Sequence, residues 1–381
     1  MADDNPFREL PASLVQEILD RTEQISRELL NTFIDLKENK QIWREQLQAS
    51  GLVKHETYLP NVQTPTSCGI DGAFAIERLL AIDLIAGGAV AVEGLTPPSE
   101  DRYWPEPQHL VYVDTEAHHP DTNSILRGIM MGMELQLAIN APHDVVFLDG
   151  SLTTPTIFFN QALSKLQTAP TLKASQQLQT NIVAYLDAYI KILTASRTDH
   201  YWLAMPKYTT RREIGDQLQW PNSYDDRGIL SSVLEPGQYT EPLPIKEPES
   251  EWHITTNGLS SEYREKATEF VEKITRLLNG VRIVYYRPTS WLPALRLEMS
   301  QAIALNPARL ATALSAVKHQ CAVAAMMEPY PLYMADRMVK HLSKSVPAFR
   351  QIASQHLSEN YDGNIDDVFT NLHGYRTESG R

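Results

Sequence analysis

Residues 66–75 read TSCGIDGAFA, and residues 145–151 read VVFLDGS. Each is an apolar run that ends on an aspartate followed by glycine: Asp71-Gly72 in the first, Asp149-Gly150 in the second. An unbroken run such as Val145-Val146-Phe147-Leu148 has the pattern of a strand covered on both faces. An aspartate at the end of such a strand projects from a rigid element, and the glycine after it lets the backbone turn and leaves room for a ligand. Two such carboxylates on neighbouring strands can converge on a pair of hard cations, which prefer oxygen ligands. The plainer alternative is that each Asp-Gly is only a turn.

Outward from these two strands the chain alternates. Further strands are expected near residues 89–93 and 110–113, and the 66–75 strand is expected to end at Asp71-Gly72. Residues 122–140 have the spacing of a helix, with Ile125, Ile129, Met133 and Leu137 four apart. Helices are expected at 155–167, 174–196, 260–279, 307–326 and 331–343, with strands at 201–205, 281–286 and 295–299. Residues 12–48 form one long helix in this reading; Ile18, Ile25, Leu29, Phe33 and Leu36 recur at three, four or seven. That helix either packs on its own domain or meets a second subunit. Residues 235–251, rich in Pro and Glu, are expected as an exposed connection, and the segment after 356 as a polar, mobile tail. The expected architecture is an α/β domain, a mixed sheet flanked by helices. It divides into a helical arm (1–60), a single large domain (61–345) and a polar tail (346–381).

Glu134 lies in RGIMMGMELQLAIN, in an i, i+4, i+8 row with Leu126 and Met130. A carboxylate among core residues needs a partner, either a metal or a cation such as Arg127. Three clustered carboxylates repel one another without a cation, and two metals would both relieve that and suit phosphodiester hydrolysis. No GxxxxGK[ST] or GxSxG is present, so P-loop and serine-hydrolase chemistry lack support. His118-His119 is expected as a surface loop pair.

Composition sets the outer limits. The 381 residues carry a net charge of −13, with 43% hydrophobic and 21% charged residues, ordinary for a globular protein. No apolar run is long enough to span a membrane, and the acidic N-terminus lacks the apolar core of a secretory signal. Two unclustered cysteines, Cys68 and Cys321, fit a reducing cytoplasm better than a disulfide scaffold. The acidic balance weighs against nucleic-acid binding. Cations bound at a carboxylate cluster, or a partner protein that supplies basic surface, would answer it.

The same residues resemble the NurA family of DNA-repair nucleases, over about 66–345. GIDGAFA, with Asp71, is similar to the family's first acidic motif, MGMELQLA, with Glu134, to its helix glutamate motif, and VVFLDGSL, with Asp149, to its most recognisable one. AMPKYTTRREIG resembles the lysine-containing strand, at Lys207; DDRGILSSVLEPGQYTEP and VRIVYYRPTSWLPALRLEM resemble the segments that follow. The last motif departs from the pattern. In EPYPLYMADR, Glu328 stands where the family has a tyrosine and Asp336 where it has a histidine, while Tyr330 matches the second aromatic. Asp336 can replace histidine toward a hard cation, or simply pair with Lys340 four residues on.

The resemblance implies an RNase H-like fold, a homodimer and manganese-dependent cleavage of single- and double-stranded DNA, with magnesium as an alternative ion. It further implies 5′-to-3′ exonuclease and single-strand endonuclease action, and a hexameric HerA-type ATPase partner in end resection. Asp71, Glu134, Asp149 and Asp336 are the expected metal ligands, with Lys207 beside the first three in catalysis. Lys207, Arg211, Arg212, Arg287 and Tyr330 are the expected DNA contacts. Two other readings stay open: a non-catalytic NurA-like regulator or anchor of a DNA translocase, which the altered Glu328/Asp336 motif favours, and a glycoside hydrolase with paired carboxylates.

Overall fold

Small residues decide how the centre of the molecule is built. In the computed structural model, which describes residues 7, 10–209, 211–246 and 251–380 (375–380 as backbone alone), the strand carrying Asp71 runs from Ser67 to Leu79. Its odd positions include Gly69, Ala73 and Ala75, and a helix backbone can therefore lie close on that face. Its even positions, Ile70, Phe74 and Ile76, are fully buried on the other.

The elements in chain order are α1 (Ala12–Ala49), β1 (Val53–His55), β2 (Ser67–Leu79), β3 (Asp83–Glu93), β4 (Gln108–Glu116), α2 (Thr122–Asn140), β5 (Val145–Asp149), α3 (Thr154–Lys165), α4 (Lys173–Thr194), β6 (Tyr201–Met205), α5 (Glu213–Gln217) and α6 (Asp226–Val233). There follow β7 (Gln238–Thr240), β8 (Leu243–Pro244), α7 (Ser261–Leu278), β9 (Val281–Tyr286), β10 (Leu295–Ser300), α8 (Gln301–Ala304), α9 (Pro307–Gln320), α10 (Tyr330–Asn360), α11 (Ile365–Asn371) and β11 (Gly374–Gly380). Among the described residues the strands form one mixed sheet in the order β1-β7-β9-β10-β6-β5-β2-β3-β4, with β8 on β9 and β11 on β2. β2, β3 and β4 are an antiparallel meander. β5 pairs parallel with β2, and β6 parallel with β5. That 4-3-2-5-6 centre is the strand order of an RNase H-like sheet.

Parallel neighbours need crossovers, and helices supply them. α2 links β4 to β5, α3 and α4 link β5 to β6, and α3 and α4 both pack on α2. They cover the even face of β2, where a Cβ on Gly72 would meet Met130 and Glu134 of α2. α10 covers the opposite face along β2 and β3. A Cβ on Gly69 would lie 2.4 Å from the Leu332 backbone nitrogen, so the first turn of α10 rests directly on that glycine. Further along the same face Ala75, Ala86 and Val346 pack together with Leu342.

Four expectations are corrected. β2 does not end at Asp71-Gly72 but continues to Leu79; Gly and Ala there read as turn-forming, yet they are the residues that two covering helices need. Residues 238–240 and 243–244 are strands within the sheet, with Tyr239, Thr240 and Ile245 buried. Strands this short carry no period-2 signal; residues 247–250 of that stretch lie outside the described ones. The helix expected to 326 stops at Gln320. The stretch after 356, expected as a mobile tail, carries regular elements: α10 continues through Pro347 to Asn360, α11 follows, and β11 pairs antiparallel with Phe74–Leu79 of β2. β1 also ties residues 53–55 of the expected arm to β7.

The 38-residue α1 buries only Trp43 and Leu47. Its last third docks on α6: Trp43 meets Tyr224 edge-on, with ring centroids 5.9 Å apart, Tyr224 donates to Asp35, and Trp220 donates to Gln46. Leu14, Ile18, Ile25, Leu29 and Phe33 are exposed, so its apolar stripe is not packed on its own domain. Among the described residues no helix is long and apolar enough to cross a membrane.

Candidate metal centre

The parallel register between β2 and β5 ends on the pair Ile70–Leu148. The next residues are Asp71 and Asp149, so the two carboxylates leave adjacent strands on the same face. β5 stops there while β2 continues, which opens the gap that the acids occupy. Each side chain is tied in the same way. Asp71 Oδ1 accepts from the Gly72 amide at 2.9 Å, and Asp149 Oδ1 from the Gly150 amide at 3.0 Å. Gly150 has φ +80°, a left-handed conformation that favours glycine.

The third acid comes from the covering helix. Asp336 lies four residues beyond Leu332, one turn above the Gly69 seat. One carboxylate oxygen each from Asp71, Asp149 and Asp336 lie within 4.8 Å of one another. Asp71 and Asp336 are buried and Asp149 is half-buried. Lys207, just past the end of β6, faces the group: its Nζ is 3.5 Å from Asp149 Oδ2, 3.2 Å from Glu328 Oε2 and 3.6 Å from Asp336 Oδ1. Lys340 also pairs with Asp336, at 2.7 Å. The two expected alternatives for Asp336 thus coexist, one oxygen toward Lys340 and the other toward the cluster. Glu328 and Asp336, the two departures from the family pattern, meet on one ammonium group.

Four carboxylates (Asp71, Asp149, Asp336, Glu328) and two ammonium groups, Lys207 and Lys340, gather here, with Asp71 and Asp336 buried. A hard divalent cation fits that all-oxygen donor set. Glu134 is not among the three acids that close together. It rises from α2 on the other face of β2, where its Oε1 would lie 2.4 Å from a Cβ on Gly72. It therefore borders the cluster one residue from Asp71, through the gap that glycine leaves.

The basic candidates divide. Arg211 is half-buried over the Trp252 ring, 5.3 Å to its centroid, and donates to Thr153 at 3.4 Å, in the turn after Asp149. Arg212 donates to Asn222 and to the Trp220 carbonyl. Arg287 donates to the carbonyls of Leu234, Ser290 and Leu292. These two guanidinium groups brace loops and do not present the open fork that a phosphate needs. Tyr330, the first residue of α10, is half-buried beside the Pro331–Leu332 seat. His118, half exposed, donates from Nδ1 to the buried Asp83 carboxylate, 2.7 Å away, at the β2–β3 turn. Arg127 lies over the rings of Phe74 and Phe158.

Sequence reasoning missed a buried chain of charges beneath the Asp149 turn. Glu213 accepts both terminal nitrogens of Arg296 at 2.7 and 2.8 Å, and Arg296 Nε donates to Glu298 at 2.8 Å. The alternation in LRLEM reads as one polar face in water. Here both faces of β10 are covered.

No family model matches the chain, and no curated protein is similar to it. Solved structures are. The NurA nuclease from Sulfolobus solfataricus superposes with a TM-score of 0.56 at 14% identity, over 91% of this chain and 98% of that one. A second NurA structure gives 0.54 at 16%, over 92% and 99%. The chain has the NurA fold. A NurA structure with dAMP and manganese bound also aligns, at TM-score 0.50 and 15% identity, over 91% of this chain and 98% of that chain. Within the NurA fold the three clustered aspartates thus come from β2, the end of β5 and the start of α10.

Proposed function

We propose that this protein is a metal-dependent deoxyribonuclease. The observation that carries the reading is the closure of Asp71, Asp149 and Asp336 within 4.8 Å beside Lys207, on a NurA fold. Asp71, Asp149 and Asp336 would hold a divalent cation, manganese or magnesium, and Glu134 would extend the site toward a second. When bound, such ions lower the pKa of a coordinated water and offset charge on a phosphodiester. The chain's own groups do the rest. The amides of Gly72 and Gly150 orient the two strand carboxylates. Lys340 holds one oxygen of Asp336. Lys207 would meet a non-bridging phosphate oxygen, and Arg211, which donates to Thr153 in the turn after Asp149, would extend that contact. Burial of Asp71 and Asp336 keeps competing water from their carboxylates.

The finer reading follows the NurA likeness: 5′-to-3′ exonuclease and single-strand endonuclease action in end resection at DNA double-strand breaks, with a HerA-type ATPase. The net charge of −13 supports a partner that supplies basic surface for DNA. The exposed apolar stripe of α1 supports a homodimer, since contiguous apolar surface of this kind marks association sites. One contact favours a second reading, a non-catalytic regulator: Lys207 already lies among Asp149, Glu328 and Asp336 and can neutralise part of the cluster without a metal. Labelled single-stranded DNA incubated with manganese, then with EDTA, separates the two. Cleavage with manganese that EDTA and Asp149→Ala both abolish is expected; DNA binding without cleavage supports the regulator.

A further inference from the structure

The turn after Asp149 is held from below by a buried charge network of Glu298, Arg296 and Glu213. The sheet register pairs Leu148 with Ala204 and Ala204 with Glu298, so these three residues form a row across β5, β6 and β10 on the face covered by α2 and α4. Ala204 is small, which leaves the way open from Glu298 to the start of α3. Glu298 Oε2 accepts from Ser151 Oγ at 2.6 Å and from the Leu152 amide at 3.0 Å. Its Oε1 accepts from Arg296 Nε at 2.8 Å. Arg296 is in turn held by both oxygens of Glu213 and by the Tyr285 hydroxyl at 2.9 Å. The side chains of Arg296, Glu298 and Glu213 are 0%, 2% and 4% exposed.

Desolvating three charges is costly, and well-packed apolar residues often give equal or better stability. A network of this kind is therefore expected to hold something in place. What it holds is specific: Ser151 and Leu152, separated from Asp149 by Gly150 alone. On its other side Asp149 is fixed by its strand pairing with Met205. Gly150 has the least conformational restriction of any residue; beyond it Glu298 holds Ser151 and Leu152, and the buried Tyr189 hydroxyl donates to the Leu152 carbonyl.

We propose that Glu298, oriented by Arg296 and Glu213, is a positioning residue that fixes the Asp149 carboxylate for metal binding. The inference rests on the metal-site reading above. Both oxygens of Glu298 accept hydrogen bonds from donors, Arg296 on one side and the Leu152 amide on the other. An amide side chain must turn its NH2 toward one of them and lose that contact.

The test uses the full chain and manganese alone. Manganese affinity is measured by the electron paramagnetic resonance signal of the free ion, and the thermal midpoint is measured separately in EDTA. Glu298→Gln should weaken manganese binding by about ten- to a hundredfold, the range for loss of a group that orients a metal ligand. Ser151→Ala removes one hydroxyl from a half-buried turn; it should weaken binding about tenfold with little change of the midpoint. Ser151→Thr keeps the hydroxyl and should retain parent affinity. If Glu298→Gln fails to fold, the Ser151 pair decides alone. Unchanged manganese affinity in Ser151→Ala, or equal losses in Ser151→Ala and Ser151→Thr, overturns the positioning role. A parent protein that binds no manganese overturns the metal-site reading itself, and the inference with it.

Discussion

The two faces of β2 admit their acids by different means. On the odd face Gly69 carries the weight of a helix backbone, and Asp336 arrives because the whole first turn of α10 is seated there. On the even face Gly72 makes room only for side chains, Glu134 and Met130 of α2. The same residue type, three positions apart, therefore sets a helix axis in one case and a single carboxylate in the other. A backbone contact cannot yield, whereas a side-chain end can swing.

The largest expected effect lies where the two strands meet. Asp71→Ala and Asp149→Ala should leave the protein folded and lower manganese-dependent cleavage by roughly 10³-fold, the scale of losing a principal electrostatic group. Near-parent cleavage by either variant would break the assignment. Since mutual repulsion is relieved when one acid is removed, Asp149→Asn should not lower the thermal midpoint in EDTA. Added manganese should raise the parent's midpoint more than the variant's.

The glycines test the contrast directly. Gly69→Ala places a Cβ against backbone atoms that cannot move independently; it should cost about 1–3 kcal/mol of stability, as overpacking does, and should displace Asp336. Gly72→Ala should cost less stability because Glu134 and Met130 can turn aside, while still lowering activity. Equal losses of unfolding free energy in chemical denaturation would show that the two faces are not different in kind.

A smaller effect separates the roles of Asp336. Asp336→Asn keeps the size and removes the charge, so the manganese concentration for half-maximal cleavage should rise, and Asp336→His should recover much of the loss. Unchanged metal dependence in Asp336→Ala would leave Asp336 as the partner of Lys340 only. The smallest effect concerns Lys207: Lys207→Ala should weaken DNA binding and make its salt dependence shallower by roughly 0.7–0.9 in the log–log slope, one phosphate contact. An unchanged slope would remove it from the phosphate path.

Much of the centre was legible because its signals are local. Val145–Leu148 and the four-residue spacing over 122–140 gave β5 and α2 within a residue, and Asp149 at the strand end with them. Asp71 was found, but its setting was misread: Gly and Ala look like punctuation along a chain, and only a covering helix turns them into a long buried strand. Asp336 was identified from a resemblance, with its burial visible only once α10 was placed. The Glu213–Arg296–Glu298 chain brings Glu213 to a strand 83 positions away, which no periodicity reports. β11 was missed for a related reason, since its pairing with Phe74–Leu79 depends on that same extension of β2.

The seat of α10 on Gly69 also sets a lever. At about 1.5 Å per residue, Asp336 lies roughly 6 Å beyond the contact at Leu332, while the far end of the helix at Asn360 lies roughly 42 Å beyond it. A rigid helix pivoting on that contact divides any sideways shift of its far end by about seven before it reaches Asp336. A displacement of about 3 Å near α11 would then reach the carboxylate as about 0.4 Å, inside the tolerance of roughly 0.5 Å that a working site allows. The long arm is itself fastened to the sheet, by Val346 on Ala75 and Ala86 and by Arg350 on Glu77, so events at the distant end reach the acid smaller still.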